Sequence, residues 1–463
     1  MQRPSSDPMQ GSLSGSIPES LQYGAEASQG LSGARSMRNF AAENPGTFSP
    51  ANNTIRIPVS ASSFLDMQRA RLCFDLTNNG TSSSQTLDGS AACVIQRLRI
   101  LSNTGSELER MESYNLISAV LNQYQASEED SRELSICGGG VSFIGAGTGY
   151  NGVQCDVLNT NVIRHYEIKL LAGWFNPSLG KLLPPNVSFV LELTLAAAAS
   201  AFKCNVTVAA ANYTLTNLFL KIPSVRVDDA GFMQRAAMLQ QRGYSFPAVT
   251  YKLYTSSTTA AAGSTSIQIS DRSHSLTALI AVLRGQSKVN NNEDFKLCKR
   301  TLQYVSSYQF VIGADLYPPT QVELSTDITP AGTASSGTAP ATVQFAGASV
   351  AGLNVSAVYN QVKQVFPGPS IVDLNSFANS ENTLNNGIGI LAVDCKGYHS
   401  DKRTHSGIDT ASQAVPITFN FMKTAAAVLT TASIPSTNIQ VDVFAQCDIQ
   451  FIMMPGGEMR SML

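Results

Sequence analysis

The chain has 463 residues, 43% of them hydrophobic and only 14% charged, with 31 Lys+Arg against 33 Asp+Glu and a formal net charge of −2. A disordered chain would be less apolar and more highly charged, and a coiled coil would draw about half its residues from Ala, Glu, Lys, Leu and Arg, so both classes are excluded. The balanced charge also excludes a protein that holds nucleic acid through a broad basic surface.

Charged residues usually make up about a quarter of a soluble domain. Here Ser, Thr, Asn, Gln, Gly and Ala take their place, and a near-zero net charge promotes association. The composition therefore predicts a surface largely covered by copies of the same chain. At roughly 100–200 residues per domain the length predicts two or three domains.

The first 50 residues are rich in Ser, Gly, Pro, Gln and Ala, with Arg3, Arg35 and Arg38 set against Asp7, Glu19, Glu26 and Glu43. They read as a flexible N-terminal arm, and their mixed charge makes them a poor genome-binding tail. The start MQRPSSDPMQGSLSGSIPES lacks a basic region followed by an apolar one, so it is not read as a secretory signal, and synthesis in the cytosol is expected. No apolar run reaches the ~18–20 residues of a membrane helix.

From residue 54 the pattern changes to that of strands, at 54–59, 69–77 and 93–101. Residues 106–124 (SELERMESYNLISAVLNQY) read as a helix, with Ser106 and Glu109 as a capping box. After a Gly-rich loop at 138–152, strands resume at 161–170, 187–195 and 213–227. The segment DDAGFMQRAAMLQQR at 228–242 favours a short helix joining two β domains.

The second half repeats this plan, with strands expected at 248–256, 264–269, 276–284, 304–313, 389–394, 413–421 and 439–454. In the last, Ile439, Val441, Val443, Ala445, Cys447, Ile449 and Phe451 share one face. A low-complexity loop, TDITPAGTASSGTAPAT, lies at 326–342. The fold class is therefore all-β: two tandem eight-stranded jelly-roll sandwiches with a few short helices. The expected layout is an arm at 1–50, a first jelly roll at 51–227, a connecting helix or linker at 228–246, a second jelly roll at 247–455 and a tail at 456–463.

Candidate chemistry is sparse. Gly147, Gly149 and Gly152 match a dinucleotide fingerprint in spacing, but no βαβ unit surrounds them. The densest ionisable cluster runs from Asp394 through Cys395, Lys396, His399, Asp401, Lys402, Arg403 and His405 to Asp409. It lacks any familiar ligand spacing and reads as a solvated loop suited to subunit contact. His165 falls on the polar face of a strand and His274 in a turn. The single tryptophan, Trp174, anchors a Pro-rich connection. The cysteines 73, 93, 137, 155, 204, 298, 395 and 447 form no CxxC pair and read as buried thiols. Six N-x-S/T sequons, at Asn52, Asn79, Asn186, Asn205, Asn212 and Asn354, are attributed to composition. No catalytic residue, cofactor or metal ligand is assigned, and the chain is not expected to be an enzyme.

Two β sandwiches in tandem, a non-basic arm and a low-charge surface resemble the double jelly-roll major capsid proteins of tailless icosahedral DNA viruses, the adenovirus-like lineage. TLQYVSSYQFVIGADLYPPTQV at 301–322 and HSGIDTASQAVPITFNF at 405–421 strengthen the likeness, which spans about residues 51–463. The resemblance implies a homotrimer forming a pseudo-hexagonal capsomer of an icosahedral virion shell. It implies partners that are further copies of the chain and minor capsid and vertex proteins, and no specific nucleic acid. It places the 326–342 loop outside, the arm at the inner or lateral face, and the tail GGEMRSML as a second tether. It leaves an internal membrane undecided. The alternative from composition and fold class is a carbohydrate-binding or adhesive β-sandwich protein. An enzyme on a β sandwich would instead depend on His399, Asp401 or His405.

Overall fold

The computed structural model describes residues 33–44, 46–80, 84–125, 127–140, 155–176, 182–204, 212–227, 243–259, 261, 263–289, 295–298, 300, 305–326, 353–354, 356–368, 389–397, 406–412, 415–423, 438–454 and 458–462. The 228–242 segment, most of the 326–342 loop and the first 32 residues of the expected arm lie outside them.

Alternation of apolar and polar residues places most strands. In the first half these are β1 (Gly33–Ala41), β2 (Thr54–Ser60), β3 (Arg71–Asn78), β4 (Ile95–Ser102), β5 (Glu107–Glu112), β6 (Ile163–Lys169), β7 (Ser188–Leu195) and β8 (Tyr213–Val227). They form two antiparallel sheets with strand orders β1-β8-β3-β6 and β2-β7-β4-β5. The second half supplies β9 (Tyr244–Thr259), β10 (Gly263–Ile269), β11 (Leu276–Gly285), β12 (Val305–Ile312), β13 (Asp315–Glu323), β14 (Leu391–Asp394), β15 (Ile417–Lys423) and β16 (Asn438–Met453). Their orders are β9-β16-β11-β14 and β10-β15-β12-β13. Adding eight to every label of the first half reproduces the second. Each half is thus a complete eight-stranded jelly roll, with strands that swap sheets as the chain advances.

Period-2 alternation turns one face of each sheet inward. Ile55, Ile57 and Val59 of β2, Leu191 and Leu193 of β7, Leu72, Phe74 and Leu76 of β3, and Leu220 and Ile222 of β8 are all buried. In the second half Phe310, Phe419 and Phe421 stack, with ring centroids 4.5 and 4.9 Å apart. The buried apolar side chains of both halves form one continuous cluster.

The outer faces of the two β2-type sheets differ. On the first, Glu192 contacts Arg99 at 2.8 Å and Arg56 at 3.6 Å, Arg99 meets Glu107 at 2.7 Å, and Glu112 lies 2.5 Å from Arg110 and 3.9 Å from Arg97. On the second, the outward positions of β10, β15 and β12 include Ser264, Ser266, Gln268, Thr418, Asn420, Met422, Gln309 and Val311, none of them charged, and exposed Glu323 lies on the edge strand β13.

Three stretches depart from the sequence reading. Gly33–Ala41, inside the span read as an arm, pairs with β8 over nine positions from Gly33↔Val227 to Ala41↔Phe219. It is mostly exposed, so backbone pairing holds it and no apolar alternation marks it. Residues 107–112, read as the start of a helix, form β5; the helix α1 (Tyr114–Tyr124) begins only after Ser113, and the expected Ser106–Glu109 box is absent because Glu109 is buried elsewhere. The tail read as a tether folds back instead: β17 (Met459–Met462) pairs with β16 from Met453↔Met459 to Gln450↔Met462 and packs on β5.

Two ten-residue helices were not read from the sequence. A Ser127–Asp130 capping box starts α2 (Glu128–Cys137). Along α3 (Ser356–Val365), Val358, Val362 and Val365 are buried, and the helix lies against β14.

The stacked rings give a direct test of the second core. Phe419→Ala removes a fully buried ring between two others and should cost about 4 kcal/mol, read as a lower urea midpoint at unchanged slope.

Candidate functional site

The functional feature that the fold builds is the junction between the two jelly rolls. Its centre is Glu109 on β5, 2% exposed. Its Oε1 accepts from the backbone N–H of Gly173 at 2.8 Å and from Thr250 Oγ1 on β9 at 2.8 Å, and its Oε2 accepts from Trp174 N–H at 2.9 Å. A single carboxylate therefore ties a strand and a loop of the first sandwich to the first strand of the second. Burial raises its pKa above the ordinary carboxylate value, and the three donors pull it back.

Trp174 lies on the same spot. Its ring meets Phe189 of the first sandwich at 5.3 Å and Phe246 and Phe451 of the second at 5.4 and 4.9 Å. The contacts with Phe189 and Phe451 are edge-on, and such contacts add to the area each ring buries. The chain must pass very close here: a Cβ on Gly173 would stand 2.6 Å from the Val249 carbonyl oxygen.

A second clamp sits at Asp88, 1% exposed. Its carboxylate accepts three consecutive backbone N–H groups of the second half, Lys296 and Leu297 on Oδ2 at 2.7 and 2.9 Å and Cys298 on Oδ1 at 3.0 Å. Lys296, itself buried, reaches back to the Phe202 carbonyl at 2.9 Å, and burial lowers its pKa. From α1, Gln123 Nε2 donates to the Cys298 carbonyl at 2.9 Å and Gln123 Oε1 accepts from buried Arg300. Tyr124 stacks on Phe366 at the end of α3, with centroids 5.8 Å apart. This explains why ten of the eleven residues of α1 are buried: the helix is enclosed by both halves.

Beside the junction lies a recess of about 310 Å³ bordered by Leu121 and Gln125 of the first half and by Val249, Tyr251 and Gln446 of the second. Thr250 thus faces Glu109 while its neighbours Val249 and Tyr251 on β9 border this recess.

The residues singled out from sequence are scattered. The 147–152 glycines and residues 398–405 lie outside the described residues. Of the ionisable cluster, Asp394 Oδ1 accepts from Lys396 N at 3.2 Å and Cys395 is buried. Exposed Asp409 accepts from the Ala411 and Ser412 N–H groups at 3.0 Å and lies 3.5 Å from His274 Nδ1. The strap around it packs tightly, since a Cβ on Gly407 would meet the Leu276 oxygen at 2.3 Å. His165 is half exposed between Asp75 and Glu167. All eight cysteines are free, and all but Cys137 are buried. Trp174 does anchor its loop, but the partner surface is the second jelly roll. Glu109 and Asp88 were not picked out as site residues, because an isolated acidic residue in a strand or loop gives no signal of the donors it will meet.

No family model matches the sequence, and no curated protein matches it. Solved structures do. VP54 of the virus PBCV-1, fitted into a reconstruction of the virophage Sputnik, superposes with a TM-score of 0.61 at 11% identity, covering 93% of this chain and 97% of that one. The Faustovirus major capsid protein gives 0.54 at 8% identity over 91% and 90%. The mavirus major capsid protein gives 0.51 at 10% identity over 92% and 90%. The fold is the double jelly roll. It extends over nearly the whole length of each of these chains, which agrees with the paired strand orders found here.

Two outcomes test the junction. Glu109→Ala orphans two backbone N–H groups and a hydroxyl, and should cost about 3 kcal/mol, measured by denaturation. Because the folded state binds the Glu109 proton more tightly than the unfolded state, the stability that this proton contributes is full below pH 4.5 and is lost as pH rises through the folded pKa. The difference in stability between the native chain and Glu109→Gln should follow that decline.

Proposed function

We propose that this chain is a structural major capsid protein, which trimerises into pseudo-hexagonal capsomers and builds the shell of an icosahedral virion. The observation that carries the reading is the pair of jelly rolls with identical strand order, fixed to each other by a buried junction and matched along their whole length by viral capsid proteins. Two similar lobes held rigidly in one chain give six lobes in a trimer, the shape needed to fill a hexagonal lattice with three subunits.

The composition supports the same end. A subunit of a shell meets others through repeated interfaces, each on the order of 1,000 Å² or more, and closed symmetry keeps growth from running on as a fibre. A chain with 14% charged residues loses little hydration when such surfaces close. Its principal partner is itself, within the capsomer and between capsomers, and minor capsid and vertex proteins complete the shell. Synthesis in the host cytosol precedes assembly into the virion. No specific nucleic-acid contact is part of the reading.

Light scattering behind size exclusion should give three times the chain mass of 49.2 kDa at micromolar concentration. Negative-stain images of the same material should show six-lobed particles. A stable monomer overturns the proposal.

A further inference from the structure

One group of side chains lies on the outer face of the β1-β8-β3-β6 sheet, with Glu167 also bordering the recess beside the junction. On the paired strands β3 and β6, Cys73 stands opposite Glu167 and Asp75 opposite His165. Residues two apart on a strand share a face, so all four project together. A thiol sulfur, an imidazole nitrogen and a carboxylate oxygen from Cys73, His165 and Glu167 lie within 4.8 Å of one another. His165 Nε2 is 3.7 Å from Glu167 Oε1. Two ligands on a tetrahedral ion with bonds of about 2.0–2.1 Å stand roughly 3.3 Å apart, so a small shift closes this pair on a common ion.

The surroundings fit the same geometry. The other imidazole nitrogen, Nδ1, lies 2.8 Å from Asp75 Oδ1, and Asp75 Oδ2 accepts from Asn217 Nδ2 at 2.5 Å. A carboxylate that fixes the tautomer and tilt of a histidine, leaving Nε2 free to ligate, is the usual outer support of a zinc-binding imidazole. Asn217 sits at a break in the β3–β8 register with φ 49°, which turns its amide toward Asp75. Without a metal, Lys221 Nζ lies 3.0 and 3.3 Å from the two Glu167 oxygens. Its side chain is partly exposed and can swing into solvent when a divalent ion takes the carboxylate.

We propose that Cys73, His165 and Glu167 form a three-ligand site for a zinc-class divalent cation, with Asp75 positioning His165 and the fourth ligand position taken by water. The mixed sulfur, nitrogen and oxygen donors select zinc over magnesium or calcium, which take oxygen alone. On ligation Cys73 releases its thiol proton to solvent, a metal–sulfur bond forms, and Lys221 leaves Glu167.

The test is a cobalt(II) titration of the full-length, metal-stripped and reduced chain, followed through the thiolate-to-cobalt charge-transfer band, with zinc as competitor. One equivalent should bind, and zinc should displace it. Cys73→Ser should abolish the band, and Asp75→Asn should weaken binding by about 10–100-fold without changing the stoichiometry. Lys221→Met removes no ligand and should tighten binding severalfold, which guards against loss of signal through misfolding. The absence of a band in the native chain, its persistence in Cys73→Ser, or unchanged affinity in Lys221→Met each overturns the proposal and leaves the cluster as a surface ion-pair network.

Discussion

The carboxylate of Glu109 is the constraint on which the arrangement of the whole molecule turns. A charge withdrawn from water must find donors or pay several kcal/mol, and its donors come from both sandwiches: Gly173 and Trp174 on one side, Thr250 on the other. Those bonds form only when β9 lies against β5 at one height and one angle. Trp174 then fills the space beside the carboxylate with rings from both halves. Apolar packing alone would tolerate sliding, whereas short directional bonds to a buried acceptor do not. Asp88 repeats the device at a second point, and two fixed points with α1 enclosed beside them leave the pair of lobes little freedom to rotate.

Much of the fold was legible because half-buried strands write their orientation in period 2. The strands β2, β7, β8 and β16 lie within a residue or two of the spans read from alternation. Where another force holds the strand, the signal fails. Exposed β1 is held by backbone pairing and has no alternating face. Helix-favouring Glu, Leu, Met and Arg in β5 masked an extended segment that pairs with the adjacent β4, from Leu101↔Glu107 to Arg97↔Glu112, and whose buried Glu109 finds its donors far along the chain. The Tyr-Pro-Pro stretch at 317–319 belongs to β13, which lies at a sheet edge where a missing N–H costs no ladder bond.

The site was less legible than the fold for a related reason. Trp174 announced itself by its size and scarcity, and its role as an anchor followed from its setting. Glu109 and Asp88 carry no local pattern, since their donors lie between 64 and 210 residues away along the chain. Ionisable clusters in sequence, such as that around Asp394, drew attention by density, yet the residues that matter structurally are solitary acids buried among backbone amides.

The matching strand orders conceal a chemical difference. The β2-β7-β4-β5 face presents arginines and glutamates in a cross-linked ladder, while the corresponding β10-β15-β12-β13 face presents amides, hydroxyls, a methionine and a valine along its first three strands, with Glu323 on its edge. Around any ring of three such chains the six lobes alternate in kind although they agree in shape. A turn of one-sixth would seat each lobe in a place of the right outline with the other kind of face, setting a ladder of paired charges where hydroxyls and amides had been. If three such chains close into the capsomer proposed above, the two kinds of face would distinguish orientations that shape alone leaves equivalent, and so give a nearly hexagonal tile a sense of direction.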